Sequence, residues 1–152
     1  MHIAIIFITI LMFLLGQTIQ ALSISMLLGV LSKLLHSASR IHSGLLTAQK
    51  SHFWQGFKIL SIALLFLLIN SLLQIAVWAA SFFFVGQFPD YRDAFYHSAV
   101  NFATLGYGDI VMKPPWRILG AMEAISGVLM LGLSTAVLST VFSKLLQLRR
   151  KR

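Results

Sequence analysis

The chain has 152 residues, 58% hydrophobic and 11% charged, with a formal charge of +8. A water-soluble domain ordinarily carries about 25% charged residues, so the composition excludes an ordinary soluble fold and points to a bilayer. Cysteine is absent, which excludes a disulfide framework and a thiolate metal centre and leaves the redox compartment unread.

Residues 3–31 form an apolar segment interrupted by Gln17, Thr18 and Gln20. A spanning helix needs about 20 such residues, so the segment suffices. A cleaved signal peptide is the competing reading, but only His2 stands where a positive n-region belongs. The two glutamines are expected to face protein, because unpaired polar groups in hydrocarbon are costly.

Residues 32–56 carry Lys33, Arg40 and Lys50, three histidines (His36, His42, His52) and no acid. Apolar residues recur at Leu31, Leu34, Leu35, Ala38, Ile41 and Leu45, a helical spacing. The segment reads as an amphipathic helix at the membrane surface, or as a solvated connection. The histidines have no defensible metal-ligand spacing.

Residues 57–85 form a second spanning segment. Asn70 and Gln74 lie four apart, hence on one helical face, which is expected to meet another helix. Trp78 and Phe82-Phe83-Phe84 are expected in an aromatic belt at the interface. After a Gly/Pro turn, residues 90–103 read as a short helix. Asp90 and Asp93 sit at its start, where carboxylates complement the helix dipole. At about 14 residues it is too short to span. Lys113-Pro114-Pro115 breaks the chain, a long helix follows over 116–146, and residues 147–152 are a basic tail.

Between the short and long helices stands Thr104-Leu105-Gly106-Tyr107-Gly108-Asp109. A pore that passes a bare cation must replace hydration water with oxygen atoms, and successive backbone carbonyls can do so. Gly106 and Gly108 alternate where the backbone must accept positive φ. Thr104 adds a hydroxyl at the inner end, and Tyr107 is placed to brace the loop from behind.

The stretch resembles the selectivity filter of potassium channels, usually Thr-Val-Gly-Tyr-Gly. Gly132-Leu133-Ser134-Thr135-Ala136 resembles the family's inner-helix Gly-Leu-x-Thr-Ala, and Gly127 its hinge glycine. The resemblance implies an all-α membrane protein of tetrameric potassium-channel architecture, with three transmembrane helices, a re-entrant pore helix and a filter. It divides the chain into an N-terminal transmembrane helix (1–31), a cytoplasmic interfacial segment (32–56), a pore module (57–146) and a basic tail (147–152). The module comprises an outer helix (57–85), pore helix (90–103), filter (104–109) and inner helix (116–146). The implied K+ sites are the Thr104 hydroxyl and the carbonyls of Thr104, Leu105, Gly106 and Tyr107, with Gly108 completing the filter. Asp109 and His97 stand at the outer mouth, and His97 is expected to pair with Asp109 or Tyr107. Gly127 and Gly132 are candidate hinges, with close helix packing as the other reading of each.

Glu123, an acid within a spanning helix, is a candidate for attracting cations or for bonding to the pore helix. Leu105 replaces the usual Val, Ala103 stands where a Thr is frequent, and Val100 where some bacterial members carry a Glu. Asn101 and Tyr96 are available to supply other hydrogen bonds.

Residues 32–58 and the C-terminal end hold nine of the twelve basic residues. The positive-inside rule makes that side cytoplasmic, with the N-terminus outside and the protein integral to the plasma (inner) membrane. The charge is thus a topology signal, with some attraction to anionic lipid and no nucleic-acid partner. A voltage sensor needs repeated membrane arginines, which residues 3–31 lack. The expectation is a homotetramer conducting K+, with no enzyme activity and no cofactor beyond the permeant ion. The alternatives are a weakly selective cation channel, or a non-conducting membrane subunit that modulates another channel.

Overall fold

A computed structural model describes residues 2–41 and 49–150. Four helices follow in order: α1 (His2–Ile41), α2 (Gln49–Phe84), α3 (Tyr91–Phe102) and α4 (Arg117–Arg150). The described residues contain no strand. Three stretches are long and apolar enough to cross a membrane: Ile6–Leu34, Trp54–Phe84 and Arg117–Gln147. The fold is that of an all-α integral membrane protein.

Helix α1 runs on through residue 31. The stretch 32–41 contains neither Gly nor Pro, so nothing stops it. At 1.5 Å per residue its 40 residues reach about 60 Å, twice the roughly 30 Å hydrocarbon core. Helix α2 likewise begins at Gln49, upstream of the expected 57. Residues 42–48 of the expected interfacial segment, His42 among them, and the last two residues of the basic tail lie outside the described residues.

Apolar side chains gain little by leaving lipid for protein, so spanning helices associate through packing and polar contacts. Helices α2 and α4 each touch the other three; α3 touches α2 and α4 but not α1. Gln74 is buried and donates from Nε2 to the Gly16 carbonyl of α1 at 2.8 Å. Asn70, also buried, reaches Met130 Sδ of α4 at 3.6 Å. Gln17 of α1 donates to Ser126 Oγ of α4 at 3.0 Å, and Gln20 is buried. The amide side chains Gln17, Gln20, Asn70 and Gln74 therefore face protein, as their cost in hydrocarbon requires.

The aromatic expectation needs correction. Trp78 and Phe82 are core residues, 1% and 0% exposed. They lie on the α2 face that packs inward, and Phe82 meets Phe88 and His97 edge-on. Of the Phe run, only Phe83 and Phe84 are exposed, as an interfacial belt demands.

Candidate conduction site

Helix α3 delivers the chain to the site. Asp90 caps it in an extended conformation and accepts from the Asp93 amide at 2.9 Å, which satisfies an otherwise orphaned donor. The helix ends at Phe102, and two further bonds bind the next residues to its last turn. Thr104 N donates to Asn101 O, and Leu105 N to Val100 O, each at 2.9 Å.

From there the backbone alternates in hand. Thr104, Gly106 and Gly108 have φ of 59°, 58° and 74°, whereas Leu105 and Tyr107 between them do not have positive φ. Such alternation turns successive peptide planes the same way, so that several carbonyls can share one axis. The glycines adopt it freely. Thr104 does not, since a β-branched residue at positive φ is an outlier. Its left-handed backbone was not legible in the sequence, because Thr normally argues for extended structure. Residues 104–108 are all exposed in the single chain, Tyr107 at 65%.

Behind the entry, α4 grips α3. Glu123 is fully buried. Its Oε1 is in hydrogen-bonding contact with Ser98 Oγ, and its Oε2 accepts from Asn101 Nδ2 at 3.0 Å. Asn101 Nδ2 also donates to Gly120 O at 2.6 Å, and Ser98 Oγ lies 2.8 Å from Ile75 O of α2. Glu123 thus bonds to the short helix, one of its two sequence readings. Ser98 is the neighbour of Glu123 that sequence reasoning missed: one serine in a short helix carries no pattern until α2 and α4 are placed on either side of it.

The two inner-helix glycines differ. A Cβ on Gly127 would lie 2.0 Å from the Phe102 carbonyl oxygen, so the α4 backbone rests directly on the end of α3. A Cβ on Gly132 would meet nothing within 4 Å.

At the other end of the loop, Tyr96 donates to Asp109 Oδ2 at 2.7 Å. His97 instead places Nδ1 at 2.8 Å from Ile110 O. A carbonyl only accepts, so Nδ1 carries the hydrogen. The expected pairing of His97 with Asp109 or Tyr107 is therefore replaced: neighbouring residues on a helix point about 100° apart, and it is Tyr96 that faces the aspartate. The His97 ring is held against Phe82 and Phe88, and its Nε2 is buried without a partner among the described residues. The Tyr96 hydroxyl holds the Asp109 carboxyl below its usual range, and the same bond raises the tyrosine. Burial lowers His97 from the ordinary 6.5, partly opposed by the Ile110 carbonyl and the Asp109 charge.

A membrane protein of packed spanning helices, interrupted by a short helix and an alternating-hand loop, belongs architecturally with ion-conducting proteins. Comparison with known sequences agrees. Residues 70–144 match a family model described as an ion channel. Over 58 residues the chain is 40% identical to the potassium voltage-gated channel subfamily A member 2 of Xenopus laevis and, equally, to that of Mus musculus. That stretch is 38% of this chain but only 12% of each of those proteins. No solved structure matches. Over this segment the chain is similar to an ion channel family and to potassium channels.

Proposed function

We propose that the protein is a potassium-selective channel, conducting K+ passively through a pore formed by four copies of the chain. The observation that carries this reading is the left-handed backbone at Thr104, Gly106 and Gly108 within a Thr-Leu-Gly-Tyr-Gly sequence. The Thr104 hydroxyl and the carbonyls of Thr104, Leu105, Gly106 and Tyr107 are the proposed K+ ligands, with Asp109 and His97 at the outer mouth.

One chain supplies one such strand, and its exposed Leu105 and Tyr107 await neighbours that would close a ring. On α4, Gly132, Thr135, Ser139 and Ser143 are exposed and recur at intervals of three and four, on one face. A face this rich in small and hydroxylated residues suits a water-filled cavity better than lipid. Gly132, open to that face, is the better placed of the two glycines to act as a hinge. Voltage gating is not carried over from the relatives: the shared segment is a small part of them, and Ile6–Leu34 contains no arginine.

Purified protein in liposomes tests the reading. Flux of K+ is expected to exceed that of Na+ by about 100-fold, equivalent to about 2.7 kcal/mol, with block by Ba2+. Comparable Na+ and K+ flux would instead assign a weakly selective cation pore. Absence of flux at every pH and voltage would assign a non-conducting subunit. Cross-linked products in the membrane are expected to end at four copies.

A further inference from the structure

Glu123 is an acid with no exposed surface, inside the candidate span Arg117–Gln147. Ionisable groups in such positions are expensive to keep. Its hydrogen-bond partners, Ser98 and Asn101, are both neutral and both on α3. Asn101 in turn offers its backbone carbonyl to the Thr104 amide at 2.9 Å. One residue therefore separates the acid from the left-handed threonine at the start of the loop. Val100 and Ala103, between Ser98 and Thr104, bring no side-chain hydrogen bonds of their own.

Proton counting adds a second constraint. The Ser98 hydroxyl has one hydrogen, yet Oγ contacts both Ile75 O and Glu123 Oε1. Both contacts are satisfied together if Glu123 carries a proton on Oε1 and donates it to Ser98 Oγ. Ser98 then donates to Ile75 O, and Oε2 still accepts from Asn101. An ionised carboxylate would leave two acceptors competing for one hydrogen, with a negative charge buried in the span.

We propose that Glu123 is a filter-positioning residue acting as a neutral acid: it fixes Asn101 and Ser98, and through the Asn101 carbonyl it sets the backbone of Thr104. The inference rests on reading residues 104–108 as the filter. It assigns the inner helix a direct hold on the entry to that loop, separate from any gate along α4.

The test uses the full chain in lipid vesicles and two readouts: amide hydrogen exchange at residues 104–105, and the K+/Na+ flux ratio. Glu123→Ala is expected to speed exchange at these amides by about tenfold and to lower the flux ratio by about tenfold, the scale of one lost buried hydrogen bond. Glu123→Gln, whose amide NH2 replaces the O–H donor to Ser98 while its carbonyl keeps the acceptor for Asn101 in the same shape, is expected to restore both readouts. Unchanged exchange in an assembled Glu123→Ala protein would overturn the proposal, as would Glu123→Gln damaging both readouts as much as Glu123→Ala. Should Glu123→Ala not assemble, Ser98→Ala decides. Removing the proton's acceptor is expected to speed exchange by about threefold, and no change would overturn the idea. Exchange needs no conduction, so a wild-type protein that fails to select K+ would refute the functional reading while leaving this inference measurable.

Discussion

At Thr104 a β-branched residue is held at φ 59°, against a preference of about 1–2 kcal/mol for the other hand. The two backbone bonds to Asn101 and Val100 offset that cost locally. His97, at the opposite end of the loop, is held as the neutral imidazole: burial lowers its pKa below 6.5, so the fold favours the uncharged form. Its contribution to stability is therefore complete above pH 6.5 and lost as pH falls through the lowered value. Protonation would add a charge on Nε2 beside Phe82 and Phe88, where no acceptor is bonded to it. The charge facing it is Asp109. Flux and thermal stability are expected to decline on acidification below pH 6.5, and His97→Phe to abolish that part of the dependence. Tyr96→Phe should leave it in place, while returning the Asp109 titration upward, towards its usual value of 3.8.

Helix by helix, the sequence was most legible where a single segment carries its own signal. The α3 start could be read from Asp90 and Asp93 because the pull of the helix dipole on a carboxylate is local; the structure adds that Asp90 caps the helix. The face shared by Asn70 and Gln74 could be read from periodicity, but its partners could not: Gly16 and Met130 lie far away in the chain and contribute a backbone carbonyl and a thioether. Residues 78 and 82 looked interfacial because aromatic residues near the end of a span usually are. Trp78 lies against Gly16 of α1, and Phe82 against Phe88 and against His97 of α3, contacts that only the folded bundle supplies. Gly127 was ambiguous for the same reason, and the position of Phe102 resolves where its backbone rests. Gly127→Ala places a methyl against that carbonyl and is expected to destabilise the α3–α4 contact by about 1–3 kcal/mol, lowering the melting temperature in detergent. Gly132→Ala, with open space around it, is the control and should shift melting far less.

For the whole molecule, the charge pattern and the position of the loop make one joint statement about orientation. Arg92, Lys113 and Arg117 cluster near α3 and the start of α4, whereas the other nine basic residues lie in 32–58 and near the C-terminal end. The absence of cysteine makes the orientation directly measurable. A cysteine introduced as Lys113→Cys is expected to react with an impermeant maleimide from outside intact cells, and Lys144→Cys only after permeabilisation. The reverse pattern would invert the proposed topology.

The contacts of α1 also bear on how the chain is made. Synthesis runs from the N-terminus, so α1 enters the bilayer before α2. When Gln74 emerges, the Gly16 carbonyl it binds is already in place. Asn70 has no such predecessor, since Met130 arrives only with α4. Gln17 waits for Ser126 in the same way. Of these three polar contacts between the long helices, one can therefore be satisfied as soon as a hairpin exists, while two are committed only when the last helix arrives. Helix α1 in this sense supplies Gln74 of α2 with its acceptor before the rest of the bundle is present.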